Sequence, residues 1–396
     1  MLQSPSSDIE NAMNRRRFLR VVGGGTIAAA SLPLAGCSGS MPEEAIAGWR
    51  SPETKGDVRR WILAHAILAP HSHNLQSWVV DLRTPGEITL YCDLNRLLPE
   101  TDPFGRQIMM SHGTFLEVLD LAARERGLRT DITLFPEGEF ALDKIDTRPV
   151  ARVRLIADTA AAPDPLFAQI FHRHTNRSLY APDRAVPEMA RAAMQAAAGS
   201  DVGFGFTAPA DAEALQAHRA IAQDAWRIEL TTPRTMLESY KVLRVGAAEI
   251  AKHRDGLSLT DPTVVWLTRL GLFDRSKAPG PNDRAVTSQI DDFREKLAST
   301  PAFLWMTTAD NQRRTQIAAG RAYVRVQLAA TAHGIAMQPL QQALQEYPEQ
   351  AGPYAAIRKA VGVTTPAQTV QMWARLGYAP PVGPAPRRDL DAFVRT

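Results

Sequence analysis

The sequence predicts an α+β protein: two similar halves, each with a mixed sheet, flanking a pair of long central helices. Three observations predict it. Runs with helical spacing of apolar residues alternate with short strand-like runs along the chain. The two longest helical patterns, 106–127 and 312–334, each lead into an extended run, at 130–135 and 335–340. Each is also preceded by strands and followed by a late strand, a coarse internal duplication of about 170 residues read from pattern rather than identity. The 396 residues, 45% hydrophobic and 22% charged, suffice for two or more core units.

Residues 1–36 read as a targeting signal rather than as fold. Asn14-Arg15-Arg16-Arg17-Phe18-Leu19-Arg20 resembles the twin-arginine export signal, and a mildly hydrophobic Gly/Ala-rich run follows, too short to span a bilayer. Leu34-Ala35-Gly36-Cys37 resembles a lipoprotein processing box, which implies cleavage before Cys37 and lipidation of its thiol. A diacylglyceryl group plus an N-acyl chain holds a membrane better than the single chain that binds only marginally. The alternatives are a soluble exported protein cleaved nearby and an uncleaved anchor. The expected location is the periplasmic side, lipid-anchored. An export route that accepts folded proteins suits a tightly bound cofactor. Residues 37–56 read as a linker, broken by Pro42, Gly48, Ser51 and Pro52.

The first half spans 57–158. Val58, Trp61, Ile62, His65 and Leu68 fit one face of a helix over 57–68. Then comes Ala69-Pro70-His71-Ser72-His73-Asn74-Leu75-Gln76-Ser77-Trp78, dense in hydrogen-bonding side chains. On spacing alone it reads first as a polar turn. Its Asn and Gln amides, each offering donors and an acceptor, also suit the edge of a heterocycle such as a flavin. Strands at 78–82 and 88–91 flank the turn signal Pro85-Gly86, and a loop runs from Asp93 to Pro103. Ile108, Phe115, Leu119 and Ala122, widened by Leu116 and Val118, mark 106–127 as a core helix with Gly127 as its stop. Strands at 131–135 and 150–156 complete the half.

The second half spans 159–394. Asp164-Pro165 predicts the start of a helix over 164–172. The loop Arg173-His174-Thr175-Asn176-Arg177-Ser178 follows, then a helix at 187–198 and a short strand at 202–206. Residues 211–253 look wholly helical. The loosely patterned 254–300 is long for a connection and reads as a lid insertion. A strand at 302–308, a helix at 312–333, a strand at 369–376 and a Pro-rich tail end the chain.

Several classes are excluded. Net charge is +3 with no sustained basic stripe, so no nucleic-acid surface is expected. With Cys37 consumed by lipid, Cys92 has no disulfide partner and no cysteine metal cage can form. His71/His73 and His172/His174 lack a third ligand at recognisable spacing, so no metal site is expected. There is no P-loop, no G-x-G-x-x-G fingerprint and no G-x-S-x-G elbow; Gly23-Gly24-Gly25 lies inside the export signal.

The loop at 69–78 resembles the A-P-S-x-x-N-x-Q-P-W segment of the nitroreductase-like FMN-binding superfamily, with His71 in place of Ser and Ser77 in place of the second Pro. Arg173-His174-Thr175 resembles the family's Arg-x-Ser, with Thr for Ser, and Arg177 matches its following Arg. Pro384-Ala385-Pro386-Arg387-Arg388 is similar to the family's basic C-terminal segment. Family members are usually homodimers with two FMN sites at the subunit interface. This chain is similar to a fused branch, the Acg-type proteins, over about 57–394, which implies a monomeric pseudo-dimer. The motifs are shared out unequally. The first half, around Ser51-Pro52-Glu53-Thr54, has no Arg-x-Ser, and the second half, near Ala198-Gly199-Ser200, has no Asn/Gln loop. One complete FMN site can therefore be assembled, from opposite walls.

The resemblance implies that Arg173, Arg387 and Arg388 hold the FMN phosphate, where guanidinium matches phosphate oxygens bidentately. It assigns His174 and Thr175 to the same wall, and Asn74 and Gln76 to the ring or ribityl. Backbone N–H groups of Gly334, Ile335 and Ala336, after the second long helix, are expected at the pyrimidine edge. Arg106 and His112 are candidates for the pocket lining, more readily read as structural. No protein nucleophile is expected, because the redox chemistry belongs to the flavin. The implied activity is an exported FMN-dependent oxidoreductase reducing a nitro-, quinone- or ene-type acceptor. NAD(P)H, a quinol or a redox protein is the donor. The alternative is a non-catalytic flavin-binding protein closed by the 254–300 lid.

Overall fold

The computed structural model describes residues 41–395 except 54, 209 and 210. The expected export signal and Cys37 lie outside the described residues. Helix α1 (Val58–Ala66) starts where the Asp57 carboxylate accepts the Arg59 N–H at 2.9 Å. Strands β1 (Trp78–Asp81) and β2 (Glu87–Cys92) precede the long helix α2 (Arg106–Arg124), and β3 (Leu128–Leu134) and β4 (Ala151–Ala157) follow it. Helix α3 (Glu188–Ala198) and β5 (Gly203–Phe206) open the second half. Next come α4 (Ala212–Thr231), α5 (Pro233–Lys241), β6 (Leu243–Val245), α6 (Gly246–His253), β7 (Leu257–Leu259), α7 (Pro262–Arg269) and α8 (Arg284–Ala298). Then β8 (Ala302–Thr308), the second long helix α9 (Arg313–Ala332), β9 (Ala336–Pro339), α10 (Ala351–Ala360) and β10 (Thr369–Gly377) complete it.

The two main sheets share one topology. The first runs β1-β2-β4-β3 and the second β5-β8-β10-β9, all pairs antiparallel where mixed sheets were expected. In each, the long helix lies in sequence between the second and third strands. The helices α2 and α9 pack on each other at two glycines. A Cβ on Gly113 would stand 2.1 Å from the Ile317 carbonyl oxygen, and one on Gly320 would stand 1.9 Å from that of Met110. Each glycine thus meets the backbone three residues before its counterpart, the reciprocal pattern of an isologous interface. The arginines at the two helix starts behave alike. Arg106 donates to the Gln371 and Leu344 carbonyls at 2.9 and 2.8 Å, and Arg313 to those of Ala141 and Leu142 at 2.9 and 3.0 Å. Each therefore reaches into the opposite half. Glu117 on α2 adds ion pairs to Arg321 and Arg325 of α9 at 2.7 and 2.8 Å.

Several expectations change. The predicted helix at 164–172 is only a 3-10 turn, Pro165–Gln169, ahead of the extended loop at 173–178. The stretch 211–253, expected to be wholly helical, is three helices interrupted by the short strand β6. Thr232 is extended before Pro233, and Gly246 takes a left-handed φ of 75° after β6. The region 254–300 is not irregular: it contains β7, α7 and α8, and α8 packs Phe293 and Leu297 against Ala222 and Ala225 of α4. The linker reading fails for 43–49, which forms two 3-10 turns with Ala45 fully buried. Among the described residues no helix is long and apolar enough to cross a membrane.

Candidate functional site

The loop after α1 is held in an uncommon backbone conformation. Of five non-glycine residues with positive φ among the described residues, three are His73, Asn74 and Gln76, at 48°, 54° and 55°. Such residues are rare outside turns and carry strain that the surroundings must hold. Here the C-terminal tail and the base of the 254–300 region hold it. Asn74 Nδ2 donates to the Pro386 carbonyl at 3.1 Å, Gln76 Nε2 donates to that of Arg254 at 2.9 Å, and the Gly256 N–H donates to the Asn74 carbonyl at 3.1 Å.

Arginines of the second half close on the same place. Arg387 donates to Asn74 Oδ1 at 2.6 Å and to the Ile67, Leu68 and Ala69 carbonyls at 2.7, 3.2 and 3.1 Å. Those carbonyls follow α1, where helix C-terminal oxygens attract cations. Arg173 donates to the Leu68 carbonyl at 2.9 Å and to Gln327 Oε1, on α9, at 3.2 Å. The exposures of Arg173 and Arg387 are 4% and 3%. Among the described residues, Arg173, Arg177, Arg387 and Arg388 make no ion pair with a carboxylate. Burial lowers Arg173 to about 10, and burial followed by repulsion from Arg173 lowers Arg387 to about 9. Both stay charged at neutral pH, as two close cations.

Other polar groups face this cluster. Burial, then Arg173 and Arg387, pulls His174 down to about 4, so its ring is neutral at pH 7. His174 Nε2, Tyr323 Oη and Gln327 Nε2 are buried without a partner. Arg177, on the same loop as His174, is exposed as a residue, and desolvation of its guanidinium lowers its pKa. Burial and then the charge of Arg177 lower the His73 pKa to about 4. The segment before α1 closes the outside. The Trp49 ring centroid lies 5.7 Å from the Arg173 guanidinium carbon, 5.1 Å from that of Arg387 and 5.1 Å from the His174 ring.

The structure thus brings Asn74, Arg173, His174 and Arg387 together, with Thr175 half-buried on the same loop. Other assignments need revision. Gln76 is fully buried, its amide spent on the Arg254 and Asn74 carbonyls and on the Arg388 N–H, so its side chain ties segments together instead of meeting a ligand. Arg388 in turn donates to the Gln76 carbonyl at 2.6 Å and stacks over Phe393 at 4.2 Å. Gly334, at φ 66°, and Ile335 end α9 in a Schellman motif. The Ile335 N–H bonds the Ala330 carbonyl at 2.9 Å, and the Gly334 N–H bonds that of Thr331 at 3.0 Å. Those two N–H groups are therefore already used, which removes them from the expected pyrimidine edge. Ala336 starts β9 beside the arginine loop, whose Asn176 N–H bonds the Met337 carbonyl at 3.0 Å. Arg106 is structural, and His112 is fully buried with Nδ1 on the Ile108 carbonyl at 2.9 Å.

Sequence reasoning missed Trp49, His73, Tyr323 and Gln327. A lone tryptophan in a Pro/Gly-broken stretch and a glutamine inside a core helix were the available signals. Two shallow surface depressions, one at Ala355, Arg358 and Gly362 and one at Gln195 and Gly199, share no residue with the cluster. Among the described residues no group of three or more His, Cys, Asp or Glu is placed to hold a metal.

No protein-family model matches the chain. Two provisionally named NAD(P)H nitroreductases of Mycobacterium tuberculosis, from strains CDC 1551 / Oshkosh and H37Rv, are similar to it. Each is 27% identical over 343 residues, spanning 85% of this chain and 90% of the relative. Among solved structures, the FMN-dependent nitroreductase NfnB of Mycobacterium smegmatis in complex with NADPH is 19% identical. It covers 58% of this chain and 96% of its own, with a TM-score of 0.35. A provisionally assigned nitroreductase of Anabaena variabilis, 11% identical, covers 84% of this chain and 91% of its own, with a TM-score of 0.40.

Proposed function

We propose that this chain is an FMN-dependent oxidoreductase of nitroreductase type, a fused pseudo-dimer with one flavin site, exported and lipid-anchored through Cys37. One observation carries the reading: a strained loop of the first half and carboxylate-free buried arginines of the second meet in one place. The similarity to the two NAD(P)H nitroreductases of M. tuberculosis supports it. The shared strand order and the reciprocal glycine contacts support the pseudo-dimer.

The residues fit a phosphorylated flavin. Arg173 has N–H groups beyond those it gives Leu68 and Gln327, and the unpartnered atoms beside it belong to groups that can donate: a phenol, an imidazole and an amide. Donors around two buried guanidiniums complement a dianionic phosphate. Arg387 as placed spends its donors on Asn74, Pro386 and the carbonyls after α1, so it acts chiefly by charge and by fixing Asn74. His73, beside Asn74, and Arg177, on the loop that carries Arg173, are further candidates to touch the flavin. A bound flavin supplies hydride or electron transfer; the chain positions it, excludes water and biases its charge.

NAD(P)H is the donor that the relatives' names suggest, and a quinol or redox protein suits a periplasmic location. The acceptor class remains nitro, quinone or ene. The near-complete burial of Arg173 and Arg387 favours a second reading, in which the protein stores the flavin without turnover. The purified chain should show flavin absorbance that bleaches with dithionite or NADPH under anaerobic conditions. Recovery of the absorbance on adding a nitroaromatic or a quinone supports the enzyme. Failure of every reductant or acceptor to reach a bound flavin supports storage, and a colourless folded protein refutes both.

A further inference from the structure

The segment ahead of α1 is docked on the arginine cluster by bonds of its own. The Arg387 N–H donates to the Ala45 carbonyl at 2.8 Å, and Trp49 Nε1–H donates to the Ala385 carbonyl at 2.7 Å. Gly48 lies so close that a Cβ there would stand 3.3 Å from Arg387 Cβ. The indole contacts three groups at once, Arg173, Arg387 and His174. A ring within about 6 Å of a guanidinium attracts it, and more strongly where water is excluded. Trp49 is thereby a wall packed over two buried cations, Arg173 and Arg387.

Resting on the flavin reading above, we propose that Trp49 seals the phosphate end of the flavin site and makes it specific for FMN. Three consequences follow from the geometry. The charge interaction between the arginines and a phosphate is made in a dry site, where it is stronger than in water. Riboflavin, which has no phosphate, does not feel the wall. FAD, which adds a second phosphate and an adenosine beyond the first phosphate, would need room beside the arginines where the indole and the tail at 385–387 now pack. The strap that carries this wall begins within a few residues of Cys37, so the cofactor is sealed by the segment nearest the expected anchor.

The test compares flavins on the full chain. FMN, FAD and riboflavin are titrated against the apoprotein, and FMN release is timed, for wild type, Trp49→Ala and Trp49→Phe. The expected result for Trp49→Ala is about tenfold weaker FMN binding with faster release, unchanged riboflavin binding and a smaller preference for FMN over FAD. Trp49→Phe, which keeps a ring over the guanidiniums, should recover most of the FMN affinity. Unchanged FMN binding in Trp49→Ala overturns the wall while leaving the flavin reading standing. Equal losses for FMN and riboflavin also overturn it, since they signal general loosening. A wild-type chain that binds neither flavin overturns the flavin reading, and this inference with it.

Discussion

Gly320→Ala tests the joint between the two halves. An ideal Cβ there lies 1.9 Å from the Met110 oxygen, 2.7 Å from its carbonyl carbon and 2.9 Å from its Cα. All three are backbone atoms of a buried helix, so no side chain can swing away. Restoring an ordinary contact of about 3.4 Å from 1.9 Å requires the helices to part by roughly 1.5 Å, and a gap of only about 0.5–1 Å already forfeits about a quarter to a half of each dispersion contact across it. Overpacking of this kind costs about 1–3 kcal/mol or more. The gain from replacing a mid-helix glycine by alanine, about 0.5–1 kcal/mol, offsets part of this. The expected net loss is about 2 kcal/mol, read as a lower urea midpoint at unchanged m. Gly113→Ala, whose Cβ meets the Ile317 oxygen at 2.1 Å, should behave alike. The double variant should lose clearly less than the sum, because one separation relieves both clashes. Flavin retention should fall in parallel, since α9 carries Gln327 under Arg173 and α2 carries Ser111, whose Oγ accepts the Ser72 N–H at 3.1 Å. A neutral or stabilised Gly320→Ala, or full additivity in the double variant, refutes the close-packed joint.

Arg173→Ala should weaken FMN by about 1.5–3 kcal/mol, one to two decades in Kd, and lose colour on gel filtration; full colour removes the phosphate assignment. Asn74→Ala deletes the 2.6 Å bond to Arg387 and puts a less tolerant residue at φ 54°, so a stability loss of about 1–3 kcal/mol and weaker FMN binding are expected by denaturation and titration. Glu229 is buried with its carboxylate on Gln345 Nε2 at 2.9 Å, and burial raises it from 4.5 to about 7. The folded state then holds a proton that the unfolded state releases, so stability falls as pH rises from about 4.5 to about 7 and is level above. Asp102, raised by burial to about 6, acts in the same direction. Glu229→Gln should flatten part of this slope and exceed wild type at pH 8, by on the order of 3 kcal/mol at most; identical pH profiles in urea melts count against it.

The sequence alone determined the alternation of helices and strands, the two long helices and the halves that rhyme. Each of these rests on local periodicity, which side-chain spacing records directly. The long helices begin at Arg106 and Arg313 within a residue of where spacing places them. Failures came where tertiary contacts outvote local pattern. Residues 164–172 carry a helix-start signal, yet only one 3-10 turn forms before the chain extends toward Asn176, whose N–H pairs with β9. The glycines at 113 and 320 look like helix weaknesses until the partner helix is present to require them.

At the candidate site the division is sharper. Resemblance to short family motifs named Asn74, Arg173, His174 and Arg387, side chains whose chemistry suits a phosphate and a heterocycle edge. Which donors remain free is a property of three-dimensional accounting. Gln76 is consumed by a knot of carbonyls, and Gly334 and Ile335 by the end of their own helix. Trp49 became part of the cluster only when the chain before α1 folded back over residues hundreds of positions away. One-dimensional pattern carries no information about such a return, since its driving force is an indole that finds two buried cations only in the packed state.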